Sequence, residues 1–381
     1  MATRRVFHVG ISGSYGGWNL GDEAILSGII GELRRSVPAE ITVFTRDAAD
    51  TLRRHPVEHA VAVREFLRDD ILPALKPLDL FILGGGGILF DGEVRMYLRE
   101  VELAHELGVP VMIYGISAGP LEDPRSQQEA VRCFEVAEAA TVRDWRAKNL
   151  LEYSGVRRDI RVTADPALLI EPEPLAAHVL EVEGLRGRRR LVGMSVREPG
   201  PAAPDLAEMD YHSLLANAAD YIVDRLDADV VLVPMERRQH DLQHSYAVLA
   251  RMRGVHHASV LRGEYSAGQL LSLIGHFEFA VGMRLHFLIL AGLQGVPFVP
   301  LLYAPKVLGF VEEFGLDPPH LEGLNAGRLI ALIDRAWDGR DAIRQKIAQA
   351  LPSLQARARE NNAIAVELLL GSRARLKMAQ E

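Results

Sequence analysis

Two stretches of the chain place reactive residue types where an α/β protein uses them. In GSYGGWNLGDEAIL, residues 13–26, glycines at 13, 16, 17 and 21 loosen the exit from an apolar run. Asn19, Asp22 and Glu23 then stand at the mouth of an amphipathic helix. Bare glycine backbone suits close approach to a ligand. The loop fits neither nucleotide fingerprint, because glycines 10, 13 and 16 lack the G-x-G-x-x-G spacing and no Walker lysine follows. The plainer alternative is a strand-to-helix turn in which Asn19 or Asp22 caps a helix starting near Glu23. Asp22 could do both jobs. In VGMRLHFLILAGLQGVP, residues 281–297, Arg284 and His286 stand at the turn from an apolar strand into an apolar helix. A lone histidine there is more often a cap or a satisfied core residue. An arginine two positions away, at a strand's carboxyl end facing a helix N-terminus, suits an anion.

Further cations end other strands. Arg143 closes ATVRD, with a surface ion pair to Asp144 as its ordinary explanation, and Lys306 follows LLYAP. LGGGG, residues 83–87, reads as a strand-end loop whose Gly85 and Gly86 offer bare N–H groups to a ligand; a tight packed turn explains it almost as well. GISAGP, residues 115–120, is a third such loop and weak alone. Arg143, Arg284, His286 and Lys306 together would make a cationic cleft spanning two domains. No metal is expected: the cleft loops show neither H-E-x-x-H nor another clustered ligand spacing, and His256–His257 reads as surface.

The elements that must position these residues alternate. RRVFHVGIS, EITVFTR, LDLFILGGGG, VPVMIYGISAG and AATVRD read as short buried strands between helical segments, which means βαβ units and a parallel sheet. RRLVGMSVRE, ADVVLVPME, EFAVGMR and VPFVPLLY restart the pattern. The expected class is α/β, with two Rossmann-like domains whose parallel sheets face a central cleft. Residues 1–170 form the first domain, 171–190 a linker, and 191–381 the second domain with a helical, charged tail. In open α/β sheets ligands sit beyond the carboxyl ends of the strands, where the unusual stretches fall.

Bulk properties narrow the class. A chain of 381 residues is too long for one small core. A formal charge of −8 argues against a general nucleic-acid binder. Cys133 is the single cysteine, which excludes an internal disulfide framework and fits a reducing compartment. The uncharged run 285–305 is broken by glycines and prolines and reads as helix–turn–strand rather than a membrane span. With no targeting segment visible, a soluble, cytoplasmic protein is expected.

GSYGGWNLGDEAIL, LGGGGILFD, VRD, VGMRLH and YAPK, in that order and context, resemble the polysaccharide pyruvyl transferase family, from about residue 6 to about residue 315. The resemblance implies a GT-B-like fold and an enzyme using phosphoenolpyruvate as donor substrate, with no cofactor. Such an enzyme moves the enolpyruvyl carbons onto two hydroxyls of a saccharide or lipid-linked saccharide. A cyclic ketal forms and phosphate leaves, in the making of cell-surface polysaccharide. Carried over, the family's donor-site residues fall on Arg143, His286 and Lys306, with Arg284 beside them, and its first-loop Asn and Asp fall on Asn19 and Asp22. His286 and Asp22 are then the catalytic candidates. Arg143, Arg284, Lys306, Gly85 and Gly86 would bind donor, and Asn19 and Glu23 acceptor. Ala147 and Ala304 depart from residues frequent in the family and touch only the inference about acceptor. Two alternatives stay open: a nucleotide-sugar glycosyltransferase of the same fold, and a non-catalytic carbohydrate- or anion-binding relative. The acceptor could bring the protein to the inner face of a membrane.

Overall fold

Apolar runs too short for helices, separated by helical segments, do form two parallel sheets. The computed structural model describes residues 5–64, 67–92, 94–198, 208–237, 240–301, 305–316 and 324–378. The first sheet contains β1 (Phe7–Ser12), β2 (Ala39–Thr45), β3 (His59–Ala62), β4 (Leu80–Leu89), β5 (Val111–Ala118), β6 (Ala139–Val142) and β7 (Arg161–Val162). Its order is β3-β2-β1-β4-β5-β6-β7. The second contains β8 (Arg190–Ser195), β9 (Ala228–Leu232), β10 (Ala258–Val260), β11 (Phe277–Gly282) and β12 (Phe298–Pro300), in the order β10-β9-β8-β11-β12. Neighbouring strands in both are parallel. In each sheet the order reverses once, between β1 and β4 and between β8 and β11. Such reversals open a crevice at the strands' carboxyl ends.

Helices cover the sheets through apolar stripes. Helix Val94–Glu106 buries Val94, Tyr97, Leu98, Val101 and Ala104, spaced at the helical repeat, in a core shared with Phe81, Leu83 and Ile113 of the sheet. Helix Glu208–Arg225 likewise buries Tyr211, Leu215, Ile222 and Val223 with Val192, Met194 and Phe279. The uncharged run after Arg284 is helix Leu285–Leu293 followed by β12, as its glycines and prolines predict. Among the described residues no helix is long and apolar enough to cross a membrane.

Three features differ from expectation. The four glycines lie inside β4, where pairing with β5 runs through Gly84, Gly86 and Gly87 to Leu89 with one register shift. The chain divides into one unit up to Gly17 with Asp22–Ile170 and the residues from Ser353, and a second of Trp18–Gly21 with Glu171–Pro352. Segment 171–190, read as a linker, therefore belongs to the second unit. Buried Glu183 holds it there, accepting from the N–H groups of Arg262 at 2.9 Å and Gly263 at 2.6 Å. The end of the tail belongs instead to the first unit. There fully buried Asn361 accepts from Thr141 at 2.5 Å and Thr163 at 2.8 Å, and donates to the carbonyl of Ala164 at 3.1 Å.

Candidate active site

In the first unit the site is built where β1 and β4 part. Tyr15, buried, donates its hydroxyl to the carbonyl of Gly84 at 2.9 Å, tying the glycine loop to β4. Burial, then the negative charges of Asp22 and Glu23, push the Tyr15 phenol well above its ordinary range, so it stays a neutral donor. Gly85 and Gly86 have φ of +52° and +84°, the left-handed region that favours glycine. A Cβ on Gly85 would also lie 1.9 Å from Ile25 of the first helix, Leu20–Ser36. Bare backbone here lets that helix approach β4 closely. Asp22 lies in the helix's first turn, its Oδ1 3.5 Å from where a Gly86 Cβ would be.

Glu23 has a different job from the acceptor contact assigned to it. It is buried, accepts from the N–H of Gly16 at 2.9 Å, and has Oε2 2.7 Å from Nε2 of buried His55. A carboxylate so placed braces the loop from behind. Arg143 also departs from its ordinary reading as a surface residue. It is buried, and its Nη1 donates to Asp165 at 2.6 Å, while Asp144 stands 3.9 Å from its Nε. Asp144 instead caps helix Trp145–Tyr153 through the N–H of Ala147 and accepts from Ser117 at 2.9 Å.

In the second unit the equivalent reversal, between β8 and β11, carries Arg284 and His286, while Lys306 follows β12. Arg284 is the N-cap residue of helix Leu285–Leu293. Its guanidinium grips Asp241, Nε donating to Oδ2 at 2.9 Å. Asp241 is fully buried and accepts also from the N–H groups of Met235 at 3.2 Å and Glu236 at 3.0 Å. The same backbone receives the first loop: Leu20 N–H donates to Met235 carbonyl at 2.8 Å, and Asn19 forms a β-bridge with Glu236. One carboxylate thus fixes both the arginine and the strand on which residues 19–20 rest.

His286 lies two residues into that turn, against Gly21. A Cβ on Gly21 would stand 2.1 Å from the His286 Nδ1, so only glycine admits this ring. Asn19 accepts from Gly21 N–H at 3.0 Å, the work of a helix cap. The helix begins at Leu20 rather than near Glu23, which makes Asn19 the cap and puts Asp22 inside the first turn. Trp18, just before it, has φ of +64°, backbone strain of the kind that gathers at functional sites. Lys306 is half-buried in the first turn of helix Pro305–Glu312. Ala304 lies outside the described residues, and Ala147 is buried in the turn capped by Asp144.

Thus the second unit brings together Asn19, Gly21, Arg284 and His286. The first brings Asp22 to Gly86 and pairs Arg143 with Asp165. Sequence reasoning missed Tyr15, Asp165 and Asp241. Tyr15 lies inside the quoted loop, but the two aspartates are separated in sequence from the arginines they hold. It also missed a cluster of metal-ligating side-chain types: Glu208, His212 and His244 each offer an atom within 4.8 Å of the others.

The chain matches the family described as Polysaccharide pyruvyl transferase over residues 19–305, most of its length, and belongs to that family. It is 22% identical over 303 residues to the amylovoran biosynthesis protein AmsJ of Erwinia amylovora, covering 76% of this chain and 73% of that one. Among solved structures it resembles a UDP-GlcNAc 2-epimerase from Neisseria meningitidis at 11% identity, TM-score 0.60, covering 96% and 100% of the two chains. It also resembles a UDP-glucosyltransferase from Polygonum tinctorium at 13% identity, TM-score 0.60, covering 97% and 99%. The ADP-heptose heptosyltransferase II of E. coli is similar at 15% identity, TM-score 0.51, covering 88% and 100%. These likenesses establish a GT-B-like fold of two Rossmann-like, parallel-sheet domains.

Proposed function

We propose, from membership of the polysaccharide pyruvyl transferase family, that this protein transfers pyruvate from phosphoenolpyruvate onto two hydroxyls of a saccharide as a cyclic ketal. The observation that carries the reading is the turn after β11. Arg284 is clamped there by buried Asp241, and two residues on His286 is seated on Gly21. A fixed guanidinium suits an anionic donor, and an adjacent imidazole suits proton transfer near neutral pH. Arg143 and Lys306 would supply further positive charge to the donor's phosphate and carboxylate.

The chemistry balances without an oxidant or metal. A proton added to the enol methylene makes it a methyl group and leaves C2 cation-like. One acceptor hydroxyl adds to C2 and loses its proton, giving a phosphorylated ketal. A second hydroxyl then displaces phosphate, losing its own proton, and closes the ring. His286 is proposed to deliver the methylene proton and to accept one from a hydroxyl. Asp22 is proposed to receive or orient acceptor hydroxyls, with Asn19 shaping that wall. Gly85 and Gly86 are proposed to let backbone approach the donor.

Cell-surface polysaccharide assembly is the proposed setting, supported by the similarity to the amylovoran biosynthesis protein of Erwinia amylovora. A cytoplasmic location is proposed with it. A lipid-linked acceptor would bring the protein to the membrane's inner face. The test is incubation with phosphoenolpyruvate and a panel of saccharides, following phosphate release and the ketal methyl resonance by NMR. Glycosyl transfer from a nucleotide sugar, with phosphoenolpyruvate inert, would favour the glycosyltransferase alternative. Donor binding with no phosphate release from any acceptor would favour a non-catalytic one.

A further inference from the structure

We propose that Glu208, His212 and His244 form a binding site for a divalent transition-metal ion, zinc in preference, that staples the two helices behind the Arg284 turn. Glu208 and His212 lie one helical turn apart on helix Glu208–Arg225, and His244 lies on helix His240–Leu249. Both imidazoles are buried, while Glu208 is exposed. His212 Nε2 faces His244 Nδ1 at 2.7 Å. Glu208 Oε1 stands 3.9 Å from the first and 3.8 Å from the second.

In a tetrahedral zinc site with bonds of about 2.0–2.1 Å, neighbouring ligand atoms lie about 3.3 Å apart. The His pair would open by roughly half an ångström and the carboxylate close by a similar amount, with the fourth position left to water. Two imidazoles and one carboxylate suit zinc and its first-row neighbours; calcium and magnesium prefer all-oxygen shells. Arg197 and Arg251 act on the histidines with unfavourable charge for a cation, and Glu208 and Asp241 oppose them.

The position suggests what the ion does. Tyr211, beside His212, directs its hydroxyl to the sulfur of Met283. Asp241, three residues before His244, holds Arg284. Each imidazole is thus next to a residue that fixes the 283–284 turn. The ion would join the two supports and touch no reacting atom, so this site stands whether or not the pyruvyl-transfer reading does.

The full-length chain, stripped with a chelator, is titrated with Co²⁺ and then Zn²⁺. The expected result is the visible absorption of four- or five-coordinate cobalt saturating at one equivalent and bleached by zinc. Zinc should also raise the melting temperature, and chelator should reverse the rise. Glu208→Gln changes an exposed side chain, so it should fold normally and bind cobalt at least about tenfold more weakly. His244→Asn should abolish the spectrum. If that variant fails to fold, zinc-induced shifts of the His212 and His244 imidazole resonances in the wild-type chain replace it. No cobalt spectrum in the wild type, binding unchanged in Glu208→Gln, or unmoved imidazole resonances would each overturn the proposal.

Discussion

At the residue scale, seating on Gly21 limits what can replace His286. Glutamine can reproduce a hydrogen bond to phosphate but cannot carry a proton near neutral pH. If His286 moves protons, His286→Ala and His286→Gln should both bind phosphoenolpyruvate in calorimetry. Each should lose about 10²- to 10⁴-fold in turnover, the range for a lost general acid–base group. A glutamine variant with near wild-type rate would reduce His286 to a phosphate ligand. Asp241 acts through its neighbours. Asp241→Asn should cost roughly 3 kcal/mol of stability, the low end for breaking a buried ion pair, because Arg284 keeps some access to water. It should raise the KM for phosphoenolpyruvate more than it lowers kcat if Arg284, the group it loosens, binds donor as proposed. A stability loss with unchanged KM would confine Asp241 to the fold. Arg284 and His286 were legible because both sit in one short motif. Asp241 was not, because its pairing with Arg284 spans 43 positions and sits in an unremarkable helix start.

At the element scale, periodicity made the alternation of strands and helices legible, while the local chemistry of β4 misled. Four glycines signal a break, since glycine weakens a strand and costs chain entropy. Here β5 on one side and Ile25 of the first helix on the other keep the segment in the sheet. Helix Val94–Glu106 brings another feature the sequence does not announce: Glu100, fully buried, accepts from Ser12 at the end of β1 at 3.4 Å. Burial pushes its carboxyl above the ordinary value of 4.5, against the pull of Arg99 and Arg64. The folded chain therefore holds this proton to higher pH than the unfolded chain. The resulting contribution to stability is complete below the ordinary carboxyl range and is lost as pH rises through the raised value. Urea unfolding from pH ~4 to ~8 should show this fall superposed on the other titrations, and Glu100→Gln should remove that component. Identical pH profiles for the two chains would exclude it.

At the scale of the whole molecule, both sheets reverse strand order once, and the candidate residues lie within or after strands at or beyond those reversals. That duplication was legible from the restarted pattern after residue 190. The membership of the tail was not, because a charged helical run gives no sign of where it packs. The one clue is Asn361–Asn362, both buried within helix Arg340–Met378. Asn361 completes hydrogen bonds for Thr141, Thr163 and Ala164, all in the first unit. Thr141 also receives the N–H of Gly115 at 2.7 Å, and Thr163 also donates to the carbonyl of Val142 at 3.2 Å, so neither hydroxyl is wholly orphaned when Asn361 is lost. Asn361→Ala should therefore cost about 2 kcal/mol, within the range for stranding a buried polar group. Its location makes a sharper test than its size. Hydrogen exchange should quicken at the amides of β5, β6 and β7 and stay unchanged at those of β8, β9 and β11, because the lost bonds all lie in the first unit. Equal loss of protection in both sheets would mean that the tail serves the second unit as much as the first.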